Sequence, residues 1–442
     1  MEDGSRSGYV EAGIHFREAI SQDPDFALAY AMLGRSLFPP RAGPERYTEE
    51  AVKEAGTHIL RALELDDALS EAYSVQGLQR EGERDYDAAE ESYNKAIELD
   101  PNNAEAYQSY AAFLRRRDGR TEEVATLYQK AYDLDPKHEF AQDRLSLSFS
   151  ALGQWEEALK ARLQWVAEKP ESFDAHRHLG RIYDKILGRW DDAVVAYRQA
   201  LSLEQGLVPL FTRFREAYAG LGDTKKAIEW IDRGLEVNQR PLSRAQSKCY
   251  KFNLTEDEKS REESALEGLK EYPGNGELLG HLTDLYIASG QADEVRTRWE
   301  QAYPALFDLS PEVNGTNATY AKDVARVLMA TDEREQADRL IAGALAVVTS
   351  QVPTWEILSL EASLHAVAGD DSKVLDAIRR CLEAGGSPYD LMMQDELKHF
   401  ESNTEYQAMA EKRREELAIQ LERIQEKEAN GELAPKPEVP AN

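Results

Sequence analysis

The sequence is short of the residues from which covalent and metal-held frameworks are made. Its two cysteines, Cys249 and Cys381, lie far apart and in no CxxC or CxxxC pair. Neither a disulfide framework nor a zinc knuckle follows from them, and each is expected as a small buried apolar residue. The eight histidines are scattered. His176 and His178 stand two apart, hence on different faces of a helix, which does not suit a shared metal; His176 is expected to pack in the core. No P-loop, HExxH or GxSxG occurs, so no catalytic residue, metal or cofactor is expected and the chain does not read as an enzyme. Positive charge is scarce as well: 53 Lys and Arg against 82 Asp and Glu give a net charge of −29. Such a surface repels phosphate backbones and anionic lipid, which disfavours nucleic acid and membranes as partners. Long apolar runs are missing. The longest, 340–348, is far short of the ~20 residues of a membrane helix. The N-terminus has no basic start followed by an apolar core, and a soluble chain, cytoplasmic by default, is expected.

What the sequence does contain is a repeat. Residues 88–101 (AAEESYNKAIELDP), 124–136 (VATLYQKAYDLDP) and 11–24 (EAGIHFREAISQDP) share one pattern: a small residue, an aromatic four on, Ala three later, then Pro. The residues are Ala89, Tyr93, Ala96 and Pro101; Val124, Tyr128, Ala131 and Pro136; and Ala12, Phe16, Ala19 and Pro24. Spacings of four and three place the apolar positions on one helical face, and the closing Pro marks the end of the helix. Ahead of each lies a second helical pattern: Tyr30/Leu33/Gly34, Tyr73/Gly77, Tyr107/Tyr110/Ala111, His176/Leu179/Gly180 and Leu279/Leu282. The Gly or Ala there lets two helices approach closely. Residues 70–103, 104–138, 139–172, 173–207 and 208–241 read as successive units.

The organisation expected from this is a regular array over 1–241, degenerate helix pairs over 242–385, capping helices over 386–429 and a disordered tail over 430–442. The degenerate pairs cover 241–273 and 276–307 (Leu279, Tyr286, Trp299, Ala302), followed by one with Val324, Leu328, Ala337, Ile341 and Ala344, and one with Leu358, His365, Val374, Ile378 and Cys381. Ala12, Phe16 and Ala19 read as a second helix whose first-helix partner would precede Met1, so either a fragment of a longer protein or a modified cap is expected. Two linkers interrupt the pattern. Residues 38–47 carry three prolines, and 308–319 carries two Asn-x-Thr triplets, at Asn314 and Asn317, read as turn chemistry. Tyr406, Met409, Ala410, Leu417, Leu421 and Ile424 form one narrow apolar stripe, expected to close the last repeat; the alternative is self-association through this C-terminal helix.

These motifs resemble the tetratricopeptide repeat over roughly residues 7–385. The resemblance implies an all-α, right-handed superhelical solenoid of antiparallel helix pairs, with the first helix of each pair lining a concave groove. It further implies ligand contacts at Leu28, Ala31, Arg35 and Phe38; Glu71, Ser74 and Leu78; Glu105, Gln108, Ala112, Arg115 and Arg116; Phe140, Asp143, Leu147 and Ser150; and Asp174, Arg177, Arg181, Asp184 and Lys185. Among these, Arg115, Arg116, Arg177, Arg181 and Lys185 are the candidate partner-binding cations, suited to forking onto a peptide carboxylate. The competing expectation is ion pairing with Asp174 and Asp184. The order of the early units, with residues 395–417 near the C-terminus, also resembles the C-terminal repeat region of bacterial multidomain signalling proteins of the adenylate-cyclase or winged-helix regulator type. None of their effector domains is in this sequence. The function expected is a non-catalytic scaffold that binds a protein or peptide in its groove. The alternative is a ligand-sensing or regulatory segment of a larger signalling protein, periplasmic if that protein is membrane-anchored.

Overall fold

The computed structural model describes residues 6–38, 48–117, 121–136, 139–203, 208–308, 310–315 and 317–434. Among them the regular elements are helices. The chain divides into two compact units, residues 1–162 and 163–442, so the boundary expected at 241 falls inside the second.

Unit 1 contains α1 Arg6–Gln22, α2 Ala27–Ser36, α3 Glu49–Leu65, α4 Ser70–Glu83, α5 Tyr86–Leu99, α6 Ala104–Arg117, α7 Thr121–Leu134, α8 Glu139–Ala151 and most of α9 Trp155–Glu168. The motif residues carry the packing: Ala89, Tyr93, Ala96, Val124, Tyr128 and Ala131 are all buried. Helices α1, α5 and α7 stop at Gln22, Leu99 and Leu134, two residues before Pro24, Pro101 and Pro136, because the residue before a proline is driven out of the helical region. At the other end of α5 the Asp85 carboxylate accepts from the Ala88 amide at 3.3 Å, satisfying one orphan donor of the first turn. Ala12, Phe16 and Ala19 are only half-buried, on a helix that packs against α2.

The glycine of the first helix is where the pairs close. A Cβ on Gly77 would lie 2.5 Å from the Tyr93 ring, and one on Gly180 would lie 2.4 Å from the Tyr197 ring. One turn beyond each glycine an acid receives the tyrosine: Tyr93 donates to Glu81 at 2.6 Å and Tyr197 to Asp184 at 2.7 Å. A small residue, a ring laid over it and a hydroxyl satisfied at i+4 thus form one repeated device, in which the polar tip of a buried tyrosine finds its partner.

Unit 2 continues with α10 Phe173–Lys185, α11 Trp190–Leu203, α12 Val208–Gly220, α13 Thr224–Val237, α14 Pro241–Leu254, α15 Glu258–Glu271, α16 Gly276–Ala288, α17 Ala292–Ala302, α18 Ala318–Ala330, α19 Arg334–Thr349, α20 Trp355–Ala368 and α21 Asp371–Glu383. A short α22 Pro388–Met392, a 3-10 stretch Asp395–Ser402 and the long α23 Thr404–Ala429 follow. The sequence-degenerate pairs are as well packed as the regular ones: Leu279, Trp299, Val324, Leu328, Ala344, Val374, Ile378 and Cys381 are all fully buried. In the linker before α18, Asn317 accepts from the Asn314 amide at 2.8 Å and donates to the Glu312 carbonyl at 2.9 Å, the turn chemistry expected of it.

Unit 2 closes on itself. Trp355, which opens α20, packs with its ring tilted 54° and 5.4 Å from Trp190 of α11, and its indole N–H donates to the Asp184 carbonyl at the end of α10 (2.9 Å). The first and last pairs meet so tightly that a Cβ on Gly188 would stand 2.2 Å from the Gly385 carbonyl oxygen. Helix α23 latches the closure, packing on both α11 and α21. Arg413 donates to the carbonyls of Gly188 (2.9 Å), Gly385 (2.7 Å) and Gly386 (3.0 Å). Gln420 accepts from the Trp190 amide at 2.8 Å and donates to Gly188 at 3.2 Å. Tyr406, Ala410, Leu417 and Ile424 are fully buried in this arrangement. The stripe that offered self-association through the C-terminal helix is therefore consumed within unit 2. The tail also begins in contact: Leu433 is buried and the Ala434 carbonyl accepts from Arg198 at 2.8 Å, where disorder from residue 430 was expected. Residues 435–442 lie outside the described residues.

Candidate functional site

In each unit the first helices of successive pairs touch one another, α2 with α4, α4 with α6, and α14 with α16, α16 with α18, α18 with α20. A stack whose first helices are drawn together curves with those helices on its inner side, which is where ligand contacts are to be sought.

On the inner helices of unit 1, Arg35 of α2 donates to Glu105 of α6 at 2.9 Å and lies 5.3 Å from the Tyr9 ring centroid. Burial opposes the Arg35 charge, but Glu105 raises the guanidinium above its ordinary value. Other expected groove places are spent on packing: Ala31, Phe38, Ser74 and Leu78 are buried. Glu105 keeps nearly half of its side chain in solvent, and Arg115 is exposed. The Arg116 and Phe140 side chains, with the linker residues 39–47, lie outside the described residues.

The remaining candidates stand on α10 in unit 2, and two of them are already engaged. Arg177 donates to Asp174 at 3.1 and 2.7 Å, the ion pair weighed against partner binding from the sequence. Lys185 is paired with Glu216 of α12 at 3.1 Å and Glu356 of α20 at 2.8 Å, and lies 5.5 Å from the Trp355 ring. Burial opposes its charge, yet Glu216, Glu356 and Asp184 hold the ammonium above its usual range. Glu216 in turn is kept down at about 2, against its burial, by Lys185, Arg215 and Arg213. Lys185 therefore ties the closing ends of unit 2 together, a correction to its reading as a free groove cation. The sequence missed this because Glu356 is distant in the chain. Arg181 alone of the three is exposed. His176 is buried, its ring nitrogen 2.8 Å from the Pro170 carbonyl, as packing required.

The inner face of unit 2 holds something the sequence did not announce: residues 387–402, a stretch outside the helix-pair pattern. The Ser387 hydroxyl donates to the Gly220 carbonyl of α12 at 2.7 Å. The Tyr250 hydroxyl of α14 reaches Met393 Sδ at 4.0 Å. Gln394 donates to Ser359 of α20 at 2.8 Å and pairs with Ser363. Glu396 binds Lys322 (2.9 Å) and Arg326 (3.5 Å) of α18, with Asp395 3.9 Å from Arg326. Although its burial opposes ionisation, those two cations hold the Glu396 carboxyl below its usual value. Burial dominates at Asp390, lifting its carboxyl to about 7 beside Lys185, Glu216, Glu356 and Arg215. The available signals in sequence were the i,i+4 pair Lys322/Arg326 and the acidic Asp390, Asp395 and Glu396.

No group of His, Cys, Asp and Glu suited to a metal ion occurs among the described residues, and no described helix is long and apolar enough to cross a membrane.

Models of the tetratricopeptide repeat match residues 71–103, 92–124 and 175–207. The chain is 24% identical to superkiller complex protein 3 of Mus musculus over 289 residues, 55% of this chain and 18% of the relative. It is 31% identical to the small glutamine-rich tetratricopeptide repeat-containing protein 2 of Mycosarcoma maydis over 107 residues, 24% of this chain and 30% of the relative. It thus spans less than a third of the length of either. Similar solved structures include the MamA protein (24% identity, TM-score 0.35, 38% of this chain and 92% of that one). Another is YrrB, described as a TPR protein with an unusual peptide-binding site (18% identity, TM-score 0.32, 45% and 96%). Tetratricopeptide-repeat models thus match two stretches of the chain, residues 71–124 and 175–207, and helix pairs stacked on one another continue through both units.

Proposed function

We propose that this repeat scaffold holds a protein or peptide partner on the inner helices of unit 1, α2, α4 and α6. The observation that carries the reading is the exposure of Arg115 on α6, while the apolar places of the same helices are buried. Exposed charge at a place that packing does not demand is available for a ligand, and a guanidinium there takes a carboxylate in a two-pronged bond. Arg115 and Arg116 are the cations assigned to this face; Arg181 on α10, exposed and not needed for packing, is the candidate within unit 2. A scaffold of this kind works by presenting spaced polar contacts along stacked helices, with affinity summed over several repeats.

The test is an acidic-peptide array probed with the full chain and with an Arg115→Glu/Arg116→Glu variant. Peptides bound by the full chain and lost by the variant, at unchanged helicity, support the reading. Identical binding by the two proteins would sink it.

A further inference from the structure

We infer that the inner face of unit 2 is a binding site for an acidic peptide bearing large apolar side chains, and that residues 387–402 occupy it in cis as an internal ligand. The wall supplies cations from separate helices, Lys185 on α10, Arg213 and Arg215 on α12, Lys322 and Arg326 on α18, interleaved with its own acids: Glu216 and Glu356 beside Lys185, Glu216 beside Arg213 and Arg215, Asp323 3.1 Å from Lys322 and Asp284 2.6 Å from Arg326. The bound segment supplies Asp390, Asp395 and Glu396, with Leu391, Leu397 and Phe400 buried between them. Glu396 has two cations within 3.5 Å, and the neutral groups of the segment are met by hydroxyls: Gln394 by Ser359 and Ser363, and Met393 by Tyr250.

Two features separate this segment from an ordinary piece of core. Its regular structure is short: α22 spans Pro388–Met392 and a 3-10 stretch spans Asp395–Ser402, the latter a form of poorer hydrogen-bond geometry than the α-helix. Its anchors also lie outside it. The chain enters at Gly385 and Gly386, whose carbonyls are held by Arg413, and leaves into α23, which Gln420 fixes to α11 and whose Tyr406 also donates to the Pro388 carbonyl at 3.4 Å. Closure of unit 2 through Trp190, Trp355, Arg413 and Gln420 does not pass through Asp395, Glu396 or Phe400. The segment is therefore a tethered peptide on a charged wall. The wall remains partly in water: Lys185 keeps 18% and Asp284 23% of the side chain exposed. A segment tethered at both ends competes at an effective concentration on the order of millimolar, so a partner of the same chemistry binds the intact chain weakly. Lowering the charge of the segment uncovers the site.

The probe is a labelled synthetic peptide of residues 387–402, added to the intact full-length chain and to an Asp395→Asn/Glu396→Gln variant, with anisotropy as the readout. The variant, folded by circular dichroism, is expected to bind at least ~10-fold more tightly than the intact chain, a factor that corresponds to ~1.4 kcal/mol. Adding Lys322→Glu and Arg326→Glu to it should remove that binding. A folded variant that binds no better than the intact chain overturns the inference. Should the variant fail to fold, hydrogen exchange of the intact chain decides. Residues 387–402 exchanging faster than α18 and α20 support a displaceable ligand; exchange in step with those helices overturns it. These measurements address unit 2 and leave the unit 1 proposal standing or falling by itself.

Discussion

The two units are made of the same helix pair and reach different ends. In unit 1 the landmarks are plain in the sequence, the Ala/aromatic/Ala faces are buried, and charged side chains remain on the inner helices. In unit 2 the landmarks fade after residue 241, yet the stack closes, with Trp355 against Trp190, and then takes its own downstream chain across its inner face. The difference does not lie in the pair. The Gly77–Tyr93–Glu81 device of unit 1 recurs as Gly180–Tyr197–Asp184 in unit 2. It lies in residues that are not landmarks of the repeat: Gly188, Gly385, Arg413 and Gln420. Repeat regularity sets how neighbours stack, while closure depends on what arrives from elsewhere in the chain.

Breaking the closure should separate the units most sharply. Trp355→Ala removes a nearly buried indole, its tilted ring contact with Trp190 and its bond to the Asp184 carbonyl. We expect the unfolding transition of unit 2 to lose ~3–5 kcal/mol, read by denaturant titration with hydrogen exchange resolved by unit. Protection in α2–α7 should stay as it was. An equal loss in both units would mean that closure is not a property of unit 2.

A smaller effect should be shared. Gly77→Ala and Gly180→Ala each force a methyl onto a buried tyrosine ring, and each is expected to cost ~1–3 kcal/mol through overpacking, observed as a lowered transition in its own unit. If only one of the pair destabilises, the common device is not common.

The smallest effect is a pH dependence of unit 2. Burial pushes Asp184 and Asp390 up to about 7. Their folded values exceed the ordinary 3.8, so their contribution to stability is fully present below that value and lost as pH rises through about 7. His281 acts in the opposite direction. Burial, with Arg261 and Arg215, lowers it to about 4, so its contribution is present above its ordinary 6.5 and lost as pH falls through about 4. Raising the pH from 6.5 to about 8.5 should therefore lower the unit 2 midpoint through the carboxyls, and an Asp184→Asn/Asp390→Asn variant should show a flatter profile. A profile that is unchanged in the variant would remove those carboxyls from the account.

Much of the fold was legible because its determinants are local. Spacings of three and four expose the buried face of a helix, Pro101 and Pro136 stop it, and Gly77 and Gly180 mark where the tyrosine ring lies. Even the degenerate pairs around Leu279, Val324 and Val374 could be found, since apolar periodicity survives the loss of Pro and Gly. The candidate site was less legible. Position within α10 could not supply the partners of Lys185, Glu216 and Glu356. Arg177 took the near partner, Asp174, which three-residue spacing on a helix allows. The acidic stretch 387–402 read as capping because its ligands, Lys322 and Arg326, follow from no repeat rule.

By itself, then, the sequence determined the helix pair, its length, its buried face and its stacking on the next pair, because each depends on residues within about one repeat of one another. Only the tertiary structure decided that residues 163–442 close, that α23 spends its apolar stripe inside the molecule, and that Glu396 meets Lys322 and Arg326. Those outcomes depend on the small rotation of each pair against its neighbour, accumulated over many pairs. No single repeat encodes that sum, and it alone brings Gly188 to Gly385 and Asp184 to Trp355.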